Sequence, residues 1–148
     1  MKSNFYLLLC LFSVLFMSCK NEDQKRIPDV PVYFEVNFLT SYPTFRNSQN
    51  DTIVITKPVR TVDRIGYGGL LIYSDFFGNY CAFDLCCPNE VNPTVRIFPD
   101  ETGHASCKVC GSVYDISSGF GNRISGPSAW SLKRYKAQVY GDILYISN

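Results

Sequence analysis

Short runs of apolar and β-branched residues, each closed off by glycine, proline, asparagine or aspartate, constrain this chain more than any other feature. "VPVYFEVNF" places Val32, Phe34, Val36 and Phe38 on one face at period two, the pattern of a half-buried strand. "TIVIT", "LLIYS", "YCAFD", "TVRIF", "VYDI", "KAQVY" and "ILYIS" follow at short intervals. No segment carries a helical period and no repeat is visible. The sequence therefore predicts an all-β module. Gly141-Asp142, between the last two runs, predicts a two-residue hairpin, because glycine supplies the positive φ such turns require. "DRIGYGG" and "SSGFGNRISGPS" read as loops.

The N-terminus has a different character. Met1 and Lys2 precede "FYLLLCLFSVLF", an apolar run too short to span a bilayer comfortably, and Ser18 then precedes Cys19. Residues 1–18 read as a cleaved signal peptide. A small residue before a cysteine resembles a bacterial lipobox, which makes Cys19 the acylated first residue of the mature protein, although Phe16 and Met17 are less usual in such a box. The polar segment 20–29, "KNEDQKRIPD", then serves as a tether with lipidated Cys19 at its head, and residues 30–148 form the folded domain. Lys20 rather than aspartate follows Cys19, and acidic Glu22 and Asp23 come next, which resembles the sorting signals of some Gram-negative lipoproteins and implies the outer membrane or cell surface rather than the inner membrane. Lys and Arg number 14 against 13 Asp and Glu, and removing Lys2 brings the two into balance. Such a chain has no electrostatic footprint for nucleic acid.

Seven cysteines remain to be placed. Cys10 leaves with the signal and Cys19 takes lipid, so Cys81, Cys86, Cys87, Cys107 and Cys110 stay in the domain. An odd number cannot all pair internally, and an oxidising compartment makes disulfides a competitor to metal. Cys107 and Cys110 form a C-x-x-C-G turn, which presents two thiolates to one metal. Cys86 and Cys87 are adjacent, so in an extended chain their side chains point oppositely and make poor joint ligands. The most economical metal set is Cys87, Cys107 and Cys110 with a fourth group drawn from Asn89, Glu90, Cys86 or water. Cys81 reads as core and Cys86 as a buried thiol or disulfide partner.

"AFDLCCPNE" and "CKVCGSVYDISSGFGNRISGPSAWSLKRY" together resemble the two ligand loops of a Rieske iron-sulfur domain, over residues 30 to 148. In that family a first loop C-x-H and a second loop C-x-x-H-G-S-x-Y/F bind a 2Fe-2S cluster through two cysteines and two histidines. Cys87 and Cys107 match the cysteines, whereas Asn89 and Cys110 stand where the histidines belong. Gly111, Ser112 and Tyr114 keep their places; the resemblance implies that Ser112 and Tyr114 donate hydrogen bonds to cluster sulfur and that Gly126 and Pro127 form the covering loop. The disulfide of high-potential members has no counterpart, since Asn92 and Val109 occupy its positions. The implied architecture is a small β-sandwich or barrel with a two-loop, cysteine-rich cluster-binding subdomain.

Two functional classes follow. One is a lipid-anchored envelope electron carrier whose 2Fe-2S centre has atypical ligands and which serves a redox partner protein. Thiolate ligation would take its potential from the Rieske range of about -150 to +300 mV toward about -400 mV. The other is a degenerate Rieske-like lipoprotein with no cluster, a structural or binding module with paired or free cysteines, or one with a structural zinc site. Thiol-disulfide chemistry by Cys107 and Cys110 is disfavoured, because "GSVYDI" reads as extended rather than as a helix start that would lower a thiol pKa. His104, the sole histidine, reads as a surface residue, and with Ser106 alone it makes no hydrolase. No catalytic activity of its own is expected. Trp130 is expected to pack under the Gly-Pro loop, and Arg123, Lys133 and Arg134 to be solvated strand-end charges.

Overall fold

The computed structural model describes residues 26–148. The signal peptide, Cys19 and the first part of the tether lie outside the described residues. The described chain is all-β. Its strands are β1 (Val32–Asn37), β2 (Asp51–Ile55), β3 (Arg64–Ile65), β4 (Leu70–Ser74), β5 (Tyr80–Asp84), β6 (Ile97–Pro99), β7 (His104–Cys107), β8 (Val113–Asp115), β9 (Asn122–Ser125), β10 (Arg134–Tyr140) and β11 (Ile143–Ser147). A single 3-10 turn, Phe45–Asn47, interrupts the β1–β2 connection.

Seven strands form one sheet in the order β2-β4-β5-β10-β11-β1-β3, which curls into a nearly closed barrel. The remaining four form a second sheet, β6-β7-β8-β9, inserted entirely between β5 and β10. Those two strands are themselves neighbours, with Arg134 opposite Phe83 and Tyr135 opposite Ala82. The chain thus leaves the barrel and returns to it at one point, where the Asp84 amide donates to the Lys133 carbonyl at 2.8 Å.

Strand β4 explains why two sheets pack here. "LLIYS" is buried at every position, so it has no solvent face. Leu70 and Ile72 point into the barrel with Phe34, Val36, Leu144 and Ile146. Leu71 and Tyr73 point the other way, into a second core with Phe83, Ile97, Ala105, Tyr114 and Ile116 from the small sheet and its flanks. Each large side chain fully buried there contributes on the order of 1.5–3 kcal/mol. Cys87 and Cys107 belong to this second core, and Cys110 packs against it.

The expected runs all contain strands, and Gly141 turns the β10–β11 hairpin with φ +61°. Three strands fall outside those runs. β3 lies in "DRIGYGG" and β9 in "SSGFGNRISGPS", both read as loops; β9 is exposed along its whole length, so no buried face imposes an alternation on its sequence. β7, "HASC", does alternate in burial, but through Ala105 and Cys107, which carry little strand propensity.

The tether boundary also differs. Ile27 is buried, and the Lys133 ammonium donates to the carbonyls of Ile27 at 3.3 Å and Pro28 at 2.6 Å and to the Asp29 carboxylate at 2.7 Å. Lys133 is a clasp rather than a solvated strand-end charge, and the folded unit reaches back to Ile27. Trp130 is half-buried with the Arg26 guanidinium over its ring at 4.7 Å.

Candidate metal centre

Three backbone devices build the site. The first loop starts at the end of β5, where Asp84 is fully buried and its carboxylate accepts four hydrogen bonds. These come from the amides of Tyr67 (2.8 Å), Gly68 (2.9 Å) and Cys86 (2.7 Å) and from the Tyr135 hydroxyl (2.6 Å). That carboxylate ties the 66–68 turn, β10 and the cysteine loop together. Gly68 has to be glycine, since a β-carbon there would lie 2.4 Å from the Cys86 nitrogen. The loop then closes on itself: the Cys87 amide donates to Val95, and the amides of Glu90 and Val91 donate back to the Cys87 carbonyl. Val91 takes φ +47°, a conformation costly for a β-branched residue.

The second loop is the turn between β7 and β8. The Cys107 amide donates to the Ser112 carbonyl and the Gly111 amide to the Cys107 carbonyl, both at 2.9 Å, with Gly111 at φ +74°. The third device is the Gly126-Pro127-Ser128 segment, whose Ser128 amide donates to Ser112 Oγ at 3.0 Å. Pro127 itself is exposed.

These devices bring the Sγ atoms of Cys87, Cys107 and Cys110 to within 4.8 Å of one another, a group that could hold a metal ion. Cys87 and Cys110 sulfurs are 3.6 Å apart. Tyr114 Oη lies 3.7 Å from Cys87 Sγ and Ser112 Oγ lies 3.2 Å from Cys110 Sγ, so both hydroxyls sit against sulfur. Tyr114 and Ser112 are fully buried and Tyr114 belongs to the second core.

The three sulfurs are not equivalent. Burial pushes the Cys87 thiol up to about 12, against the pull of the Glu90 amide, the Tyr114 hydroxyl and the Asn89 amide. Burial also raises Cys110, but the hydroxyl and amide of Ser112 and the neighbouring Cys87 and Cys107 outweigh it and hold that thiol below its ordinary value. At Cys110 the donors outweigh burial and favour thiolate, whereas at Cys87 burial outweighs them and favours the thiol.

The other cysteines are elsewhere. Cys86 Sγ faces the Asn92 carbonyl at 3.4 Å, and burial, then the Asp84 charge, pushes its thiol up to about 12. Cys86 stands outside the group of three sulfurs that Cys87 joins. Cys81 lies on β5 beside Gly119, and the five cysteines among the described residues are free thiols. Asn89 is exposed, and its side-chain amide donates to Glu90 Oε1 at 2.9 Å; what it offers the site is its backbone amide. His104 Nδ1 pairs with Thr102 Oγ1 at 2.9 Å, on the strand that leads to Cys107.

Sequence reasoning did not find Asp84. Its signal was an aspartate at the end of an otherwise apolar strand immediately before Leu-Cys-Cys, a position where an unpartnered charge would be costly. No protein-family model matches this chain, and no curated protein is similar enough to count as a relative.

Proposed function

We propose that this chain is a metal-binding protein in which Cys87, Cys107 and Cys110 hold one thiophilic ion, zinc before others, and thereby tie the two cysteine loops of a Rieske-like fold together. The observation that carries this reading is the mutual spacing of the three sulfurs, all within 4.8 Å. Tetrahedral zinc with bonds of about 2.3 Å places its sulfur ligands roughly 3.8 Å apart, and the Cys87–Cys110 separation of 3.6 Å fits. A two-iron cluster asks for something else. Its irons are separated by bridging sulfides, so ligands on opposite irons stand farther apart than ligands on one iron, and each iron needs two. Here the residue at the second iron's remaining position, Asn89, is exposed and bonded to Glu90. The donor set fits a single ion better than a 2Fe-2S cluster.

In this reading Cys87, Cys107 and Cys110 are the protein ligands, water supplies the fourth position, and Ser112 and Tyr114 stabilise thiolate charge. The ion contributes folding free energy by joining loops that share one small core. A 2Fe-2S electron carrier is the second reading, favoured by the Ser112 and Tyr114 hydroxyls against sulfur. Anchoring in the envelope through lipid on Cys19 belongs to the proposal as well and rests on the signal-like sequence alone. No helix among the described residues is long and apolar enough to cross a membrane.

Metal analysis of anaerobically purified protein, with its visible absorption spectrum, tests the reading. One zinc per chain and no visible band is the expected result; Cys107→Ser should lose the metal and Cys81→Ser should keep it. Two irons with a charge-transfer band would replace zinc by the cluster. Metal that survives Cys107→Ser would remove the site.

A further inference from the structure

Beyond holding an ion, the triad is asymmetric in a way that has its own chemistry. Cys87 and Cys107 are 0% and 1% exposed, whereas Cys110 is half-buried. Cys110 sits at the outer turn of its loop, between Val109, which is 65% exposed, and Gly111, around whose α-carbon there is open space. Of the three cysteines, Cys110 is therefore the one with surface open to a small oxidant. Directly behind it, 3.6 Å away and in the other loop, is Cys87.

We propose that Cys110 and Cys87 form a peroxide-sensitive dithiol, with Cys110 the attacking sulfur and Cys87 the resolving one, and that its oxidation releases the ion. The release rests on the metal-binding reading above; the sulfur chemistry does not. In the first step the Cys110 thiolate attacks one oxygen of hydrogen peroxide. The O–O bond breaks, the departing hydroxide takes a proton to become water, and Cys110 becomes a sulfenic acid. In the second step the Cys87 sulfur attacks the Cys110 sulfur. The S–S bond forms, the S–O bond breaks, and the sulfenic oxygen leaves as water with the Cys87 proton. Two sulfurs have given up two electrons to one peroxide, and two waters have formed.

Cys87 is the resolving group because its sulfur contacts that of Cys110 at 3.6 Å, inside the 4.8 Å group that Cys107 completes. The Cys87–Cys110 contact crosses between loops, and a disulfide of about 2.05 Å needs the sulfurs to close by roughly 1.5 Å. Cys107 is then left as a single thiol in the second core, which cannot hold an ion alone. Metal and disulfide are mutually exclusive states of one site. The other half-buried thiol, Cys81, lies on β5 outside the triad and lacks this arrangement.

The test uses the full chain in detergent, freed of metal under reducing conditions, then exposed to one equivalent of hydrogen peroxide, alkylated and mapped by mass spectrometry. The expected product is a cross-linked Cys87–Cys110 peptide, with Cys107 alkylated only after unfolding. Cys110 should be oxidised ahead of Cys81, which lies outside the group of three sulfurs. Cys87→Ser should leave a sulfenic acid on Cys110 that dimedone traps, which keeps the assignment testable should Cys110→Ser fail to fold. Zinc-loaded protein given peroxide should release zinc as the disulfide appears. A Cys107–Cys110 cross-link, faster oxidation at Cys81, an inert Cys110, or zinc retained alongside the disulfide would each overturn the inference. A reduced protein that takes up no zinc yet forms the Cys87–Cys110 bond supports the dithiol and removes the metal-binding reading instead.

Discussion

Gly126 and Ser112 touch backbone to backbone: a β-carbon on Gly126 would stand 2.4 Å from the Ser112 α-carbon, 2.8 Å from its nitrogen and 2.9 Å from its hydroxyl oxygen. Gly126 also has φ +93°, a region side chains rarely occupy. The contact presses the Gly-Pro segment onto the residue whose hydroxyl lies against Cys110.

Gly126→Ala should therefore act on the site and not only on the turn. Its cost in stability is on the order of 1–3 kcal/mol, typical of an overpacked position. On the metal-binding reading proposed above, the shift of Ser112 should also make retained metal fall several-fold in competition with a chelator. Urea unfolding and chelator titration measure the two effects. A variant with native midpoint and native metal retention would show that the covering segment is incidental.

Asp84→Asn should be worse than an isosteric change suggests. The carboxylate accepts four hydrogen bonds in a fully buried position. An amide has one oxygen, and its NH2 would meet amide hydrogens that need an acceptor. Losing charge-assisted bonds costs about 1.5–3 kcal/mol each, so the variant should be destabilised by on the order of 3 kcal/mol or more. The donors meet the carboxylate in pairs, Gly68 and Cys86 on one oxygen and Tyr67 and the Tyr135 hydroxyl on the other, so either orientation of the amide orphans one amide of the 66–68 turn, which should lose hydrogen-exchange protection before the far end of the barrel does. Uniform loss of protection throughout the chain would contradict this latch.

Acid stability should depend on Asp63. Burial acts to raise this carboxyl, but the amides of Arg60 and Val59 and the Arg60 guanidinium outweigh it, leaving the group below its ordinary value of 3.8. The native state then binds fewer protons than the unfolded chain between the two values. The stabilisation is complete above the unfolded pKa and is lost as pH falls through the lower, folded one. Asp63→Asn should accordingly flatten the decline in stability below about pH 4 while lowering stability near neutrality. Glu35, Asp75 and Asp115 are also held low, so part of the acid dependence should remain. An acid limb unchanged by the substitution would rule out this role.

What could be read from the chain followed from where side chains are buried. β1 and β11 alternate because one face meets the barrel core, and β4 is continuously apolar because both faces are covered. The triad was legible for a different reason: C-x-x-C-G and the separate Cys87 are local patterns that need no knowledge of packing. β9 was not legible, since its role is to pair with β8 while facing solvent on every side chain. Lys133 and Asp84 were not legible either. Their partners, Ile27 and Pro28 for one and Tyr67, Gly68 and Tyr135 for the other, come from distant parts of the chain. A long-range polar contact leaves no periodic trace.

Because β5 and β10 pair directly, no rung of the barrel's ladder passes through the cysteine loops. The small sheet is a lid whose obligation to its scaffold is to cover Leu71, Tyr73 and Phe83, and Ile97, Ala105, Tyr114 and Ile116 discharge it. Cys87 and Cys107 share in that cover, whereas Cys110 and Asn89 stand at its edge. A change at the edge can therefore alter the chemistry of the loops while the shape beneath them stays still.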